Sequence, residues 1–219
     1  VYQNIRKAIN FLLSCNISEI FIVVIAMLLG WGAPFTAVQL LFVNVVADGL
    51  PGFALGREPA EKGIMNEKPI PRNEGIFARG LWKKIAVNAG VFTAVTLFGF
   101  YLGAFVDGVS HWVSASHEVG QTVAFLVLAY SSILHVFNVR SKDSIFRVRL
   151  SSNKSLFEMA VLAVVITTVI ALLPITQELF YLVPIGLTHW ALVVVLSVIP
   201  IFVNELIKFH FSPEEEEEA

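Results

Sequence analysis

The chain has one cysteine, Cys15, so an internal disulfide is impossible and no thiolate metal pattern exists. Charge is scarce. Asp, Glu, Lys and Arg make up 15% of the residues, against about 25% in a soluble domain. Basic residues are not in excess, and the net charge of −2 gives nothing to neutralise a phosphate backbone, which excludes a nucleic-acid partner. No internal repeat occurs. No cleavable signal sequence is expected, because the chain opens on the polar helical stretch Val1-Tyr2-Gln3-Asn4-Ile5-Arg6. It also lacks an initiator methionine, so a fragment or a processed chain is expected. What is abundant is apolar surface: 56% hydrophobic residues and a mean hydropathy of +0.75. That composition belongs to a membrane protein whose partner is the lipid bilayer.

Six segments are long enough to cross a hydrocarbon core of about 30 Å, which takes about 20 residues. They fall near 11–31, 35–55, 85–105, 122–139, 156–173 and 187–209. The first continues a helix that begins at Tyr2. The expected fold is an all-α bundle of six transmembrane helices over residues 1–211, followed by an acidic disordered tail at 212–219. The loop from Arg57 to Gly80, with prolines at 59, 69 and 71, reads as an ordered surface loop with extended pieces. Gly32 to Pro34 make so short a link that the first two spans form a tight hairpin.

Orientation follows from the basic residues. All fifteen Lys and Arg fall before span one, between spans two and three, between spans four and five, or at the end of span six. The other connections carry none. The positive-inside rule then places both termini and the two basic loops in the cytoplasm.

The polar residues inside the spans carry the chemistry. Asn44 and Asp48 are four apart in span two, so a helix presents both oxygens on one face. Gly49 and Pro51 follow at once, and the second helix is expected to unwind near Asp48–Pro51, where freed carbonyls can line a cation site. Asn16 and Glu19 are three apart in span one, and no charge follows Glu19 through Leu28. A carboxylate at this depth needs a partner or a proton. The hairpin brings both pairs to one level. The candidate metal ligands are therefore Asn16, Glu19, Asn44 and Asp48. All-oxygen donors suit Ca²⁺, Mg²⁺, Mn²⁺ or an alkali ion, and the structural alternative is a carboxyl pair sharing a proton. Elsewhere, Asn88, Thr167 and Thr168 are expected to satisfy helix contacts. His135 is read as an interfacial histidine rather than a ligand. Ser131, Ser132 and Asn138 share its region.

These residues resemble a known family. Asn16-Ile-Ser-Glu19, and Val38 through Asn44-Val-Val-Ala-Asp48-Gly-Leu-Pro51 followed by Ala54-Leu-Gly56, resemble the carboxy-terminal membrane region of P-type calcium pumps. The start from Val1 to Lys7 is similar to the stalk before their fifth span. Asn138-Val-Arg140 is similar to an Asn-Ala-Arg at the end of the eighth span. The resemblance covers essentially the whole chain as family spans five to ten.

The resemblance implies fifth-span cation positions at Asn16 and Glu19, and sixth-span positions at Asn44 and Asp48. It implies Ca²⁺ as the transported ion, with ATP and Mg²⁺ confined to other domains. Two departures matter. The family's two-site pumps carry a threonine where this chain has Ala47, and an eighth-span glutamate where it has Ser132. Both lost donors belong to the first calcium site, so one Ca²⁺ per cycle is expected, with Glu19 left as a proton carrier in counter-transport. No Asp-Lys-Thr-Gly phosphorylation motif occurs. The first four spans and the cytosolic domains of the same pump are the implied partners, and without them the fragment should hydrolyse no ATP. The competing readings are a related pump for Na⁺, Mn²⁺ or H⁺, and a membrane scaffold or accessory subunit without catalysis.

Overall fold

The computed structural model describes residues 2–59, 75–78, 80–109, 113–141, 144–145 and 152–210. Every regular element among them is helical: α1 (Tyr2–Leu28), α2 (Ala37–Phe42), a π-helical turn (Val43–Asp48), α3 (Gly49–Leu55), α4 (Leu81–Phe105), α5 (His117–Val139), α6 (Lys154–Leu172), α7 (Pro174–Phe180) and α8 (Leu187–His210). Six stretches are long and apolar enough to cross a membrane, with α2, the π turn and α3 counting together as one. This is the expected all-helical, six-span class, and a helix satisfies its own backbone polar groups where lipid cannot. The acidic tail 212–219 and most of the loop from Arg57 to Gly80 lie outside the described residues.

The hairpin between α1 and α2 is closed by local chemistry. Thr36 Oγ accepts from the N–H of Gln39 (3.3 Å), and Gln39 Oε1 accepts from the N–H of Thr36 (2.9 Å). This reciprocal capping box starts α2 within a few residues of the end of α1. The amide of Gln39 also donates to the carbonyl of Phe180 at the end of α7 (3.0 Å), tying the hairpin to the α6–α8 connection.

Helix α5 is the axis of the bundle. It is buried along most of its length and packs on α4, α8, α6, α1 and the π turn. The outer helices α6 and α8 leave large apolar side chains exposed, Leu162, Val165, Val194 and Phe202 among them, as lipid-facing helices do. Small residues allow α4 and α5 to touch backbone to backbone. A Cβ at Gly103 would lie 2.9 Å from the Cα of Gly120. In membranes such close approach replaces the missing hydrophobic drive between helices.

The expected unwinding at Asp48–Pro51 is not what the backbone does. The second span stays helical through both residues, and the irregularity lies one turn earlier, at the π turn Val43–Asp48. The physical reason is proline's missing N–H and its clash with the carbonyl four residues back. A π turn inserts one extra residue into the helix, which absorbs such a mismatch without exposing a string of bare carbonyls to lipid. Gly49 fits this turn. A Cβ there would meet the carbonyl oxygen of Asn44 at 3.2 Å.

Candidate cation site

The π turn decides which way Asn44 and Asp48 point. Asp48 is 1% exposed, and Ala47 beside it is fully buried. Across the interface, α1 buries Phe11, Cys15, Ser18, Glu19, Ile22 and Ala26, a stripe at helical spacing. Gly52 on α3 lets the two helices close. A Cβ added there would touch Phe11 and Leu12 at 3.4–3.5 Å.

Two of the predicted residues are joined directly. Asn44 Nδ2 donates to Glu19 Oε2 at 2.8 Å and to the carbonyl of Leu40 at 2.9 Å. Both amide hydrogens are thereby used, and Oδ1 is left as the acceptor that a cation can take. Asp48 completes the group as a carboxylate that interacts electrostatically with Glu19 and is approached by Ser132 and Cys15. Among the described residues no donor comes within direct hydrogen-bond geometry of either of its oxygens or of Glu19 Oε1, Ser132 and Cys15 standing at longer range. Buried acceptors are rarely left so, because each costs about 1–3 kcal/mol. Three such oxygens at one level of a bundle, beside an amide oxygen, make a set of hard donors for a cation. Asn16 is only half-buried, one helical turn before Glu19, and no hydrogen bond among the described residues ties it to the other three. Among those residues no cluster of three His, Cys, Asp or Glu is gathered for a metal.

Cys15 is the residue that sequence reasoning missed. Its thiol is fully buried beside Asp48 and accepts from Ser132 Oγ at 3.4 Å. The signal was present, since Cys15 stands four residues before Glu19 on the same helix face. His135 is a correction. It is fully buried, stacked on Phe11 at 6.0 Å and set edge-on to Phe92 at 4.9 Å. It is therefore a core residue and not an interfacial one, because the neighbours of α5 close over it. Thr167 and Thr168 do satisfy helix contacts, donating to the carbonyls of Ala163 and Val164 at 2.7 Å each. Thr168 also meets the hydroxyl of Tyr130 on α5. Asn88 is buried on α4.

The geometry just described sits in a chain that matches the family model "Cation transporting ATPase, C-terminus" over residues 32–210. The chain belongs to this family. Its relatives within the cation-transporting ATPases carry more specific names. Calcium-transporting ATPase 1 of Bacillus cereus is 36% identical over 218 residues, covering 95% of this chain and 24% of that protein. The calcium-transporting ATPase of Bacillus subtilis is 35% identical over 202 residues, covering 92% of this chain and 22% of that protein. Calcium-transporting ATPase 9, plasma membrane-type, of Arabidopsis thaliana is 31% identical over 212 residues, covering 92% and 20%. The chain thus spans about a quarter of the length of the curated relatives it matches. As a member of this ATPase family with six apolar helices, it is an integral, multi-pass membrane protein.

Proposed function

We propose that this chain is the carboxy-terminal membrane part of an ATP-driven calcium pump and holds half of its ion site. The observation that carries the reading is the buried, unpartnered carboxylate of Asp48 beside the Glu19–Asn44 hydrogen bond. The names of the relatives support Ca²⁺ as the ion. Glu19, Asn44 and Asp48 supply ligands, and Asn16 joins them when α1 turns toward the site. Further oxygens come from helices of the same pump outside this chain. ATP and Mg²⁺ act in its cytosolic domains, and this piece alone hydrolyses no ATP. Both termini face the cytoplasm, as the placement of the basic residues supports.

One Ca²⁺ moves per cycle. Ala47 offers only a methyl group, and Ser132 offers one hydroxyl where a carboxylate would complete a second site. Once Ca²⁺ leaves, two facing carboxylates in an apolar bundle need compensating charge. Protons carried on Glu19 and Asp48 supply it, which makes the cycle an exchange of Ca²⁺ for H⁺.

The test uses the intact pump in sealed vesicles. Ca²⁺ should drive ATP turnover and uptake, and Na⁺ or Mn²⁺ should not substitute. Equilibrium binding should find one Ca²⁺ per pump, and uptake should move protons the other way. Two bound Ca²⁺ ions would remove the single-site claim. Normal uptake by Asp48→Asn would remove the site assignment.

A further inference from the structure

A second buried carboxylate lies ten residues beyond Asp48, and it is fully satisfied. The side chains of Glu58 and Arg140 are 7% and 2% exposed. Glu58 Oε1 accepts from Arg140 through Nη2 (2.8 Å) and Nε (3.1 Å), while Oε2 accepts from Asn153 Nδ2 (2.7 Å). Each partner is anchored in turn. Arg140, at the end of α5, also donates to Ser152 Oγ, and its carbonyl accepts from Lys7 Nζ on α1 at 2.6 Å. Asn153 caps α6 by accepting from the N–H of Leu156 at 3.0 Å, and its amide reaches the carbonyl of Ala54 in α3 at 3.4 Å. Asn4 on α1 donates to the carbonyls of Gly56 (3.2 Å) and Glu58 (2.8 Å).

This hub joins the start of α1, the end of α3, the end of α5 and the start of α6 at one end of the bundle. A buried ion pair seldom adds net stability over an apolar pair of the same size. Its distinguishing property is geometric, because it accepts one arrangement of donors and no other. The rod between hub and site is α3, whose seven residues Gly49–Leu55 span about 10 Å. One end of that rod carries Asp48, and the other ends at the hub. Helix α1 brings Asn4 and Lys7 to the hub and Glu19 to the site.

We propose that Glu58 and Arg140 are positioning residues for cation binding. They fix the register of α3 against α1, and so set Asp48 relative to Glu19 and Asn44. The hub touches no ion. Any displacement of the start of α1 reaches Asp48 through it as a movement of α3.

The inference rests on the reading of Glu19, Asn44 and Asp48 as the transport site, and its test separates the two. In the intact pump, Glu58→Gln and Arg140→Gln should each raise the Ca²⁺ concentration for half-maximal ATP turnover roughly tenfold, a typical coupling between linked sites. Turnover at saturating Ca²⁺ should change less. The double reversal Glu58→Arg with Arg140→Glu should recover part of the loss, and Asn4→Ala should shift the curve in the same direction by a smaller factor. A merely structural pair would lower the yield of folded pump and leave the Ca²⁺ curve of the surviving molecules in place, which would overturn the proposal. A readout without Ca²⁺ covers failure of the site reading, which would appear as a wild-type pump indifferent to Ca²⁺. Spin labels at the exposed positions Ile20 on α1 and Phe53 on α3, with Cys15 and the pump's other reactive cysteines replaced, report the spacing of the two helices. Glu58→Gln should shift or broaden that distance distribution. An unchanged distribution would overturn the hub as a positioning device whatever the ion.

Discussion

Asp48 and Glu58 are ten residues apart on one continuous stretch of chain, and both carboxylates are buried, yet their surroundings are opposite. Glu58 has an arginine, an asparagine and three connected helices around it, and both of its oxygens are used. Asp48 has another carboxylate, a thiol and a serine near it, and neither oxygen has a direct hydrogen-bond partner among the described residues. The first arrangement is what a fold does to hold a charge. The second is what the proposed transport site requires, a carboxylate whose partner arrives and leaves. Unmet polar demand in a membrane is costly, and Asp48 carries two buried oxygens without a direct partner among the described residues, while the other end of α3 is tied down by hydrogen bonds.

The comparison can be broken in several ways, beginning with the largest effect. Asp48→Asn should cut Ca²⁺ uptake by the intact pump by about a hundredfold or more, since the proposed site then loses one charged ligand of a divalent ion. Uptake by reconstituted vesicles measures this. Next comes stability, where the two carboxylates should respond with opposite signs. Removing one member of the hub, as in Arg140→Met, should cost about 3–5 kcal/mol, because Glu58 is left buried and unpaired. The double change Glu58→Leu with Arg140→Met should cost far less than the single one. By contrast, Asp48→Leu should raise the thermal midpoint of the Ca²⁺-free protein in detergent, since it removes two unpartnered buried acceptors, each worth about 1–3 kcal/mol. A fall in that midpoint would mean that Asp48 is a structural group after all.

Smaller effects sharpen the picture. Asn44→Ala removes both a ligand oxygen and the donor that holds Glu19, and Ca²⁺ affinity should fall by roughly tenfold, equivalent to about 1.4 kcal/mol. Calcium titration of ATP turnover reads it. Ala47→Thr with Ser132→Glu returns the donors that a second site needs. Equilibrium binding should then rise from one Ca²⁺ toward two per pump, and no rise would show that more than these two groups separates the site types. Cys15→Ser should be the mildest change, moving Ca²⁺ affinity by less than about threefold, because a thiol adds little to a hard cation site.

Much of this was legible in the sequence, for identifiable reasons. Lipid demands runs of about 20 apolar residues, so six spans could be read from the chain. Asp48 and Glu19 stood out because a charge within such a run has no innocent place. The hub was invisible. Arg140 stands out only through the Asn138-Val-Arg140 resemblance and Glu58 not at all, because 82 residues separate them and nothing local marks a pair made across the bundle. His135 misled for the same reason. Its position near the end of a span suggests an interface, and only the packing of Phe11 and Phe92 around it makes it core.

The sequence by itself determined the helical class and the count of spans, and it named the residue types of the proposed cation site, because hydrophobic run length and the cost of buried charge are local properties of the chain. The tertiary structure decided three things that depend on neighbours. It placed the irregular turn at Val43–Asp48 and kept Pro51 helical. It joined Asn44 to Glu19, left Asp48 without a direct hydrogen-bond partner among the described residues, and set Asn16 aside. It closed the Glu58–Arg140 hub that anchors the far end of α3. Each is a matter of which groups meet across helices, and spacing along one helix cannot specify that.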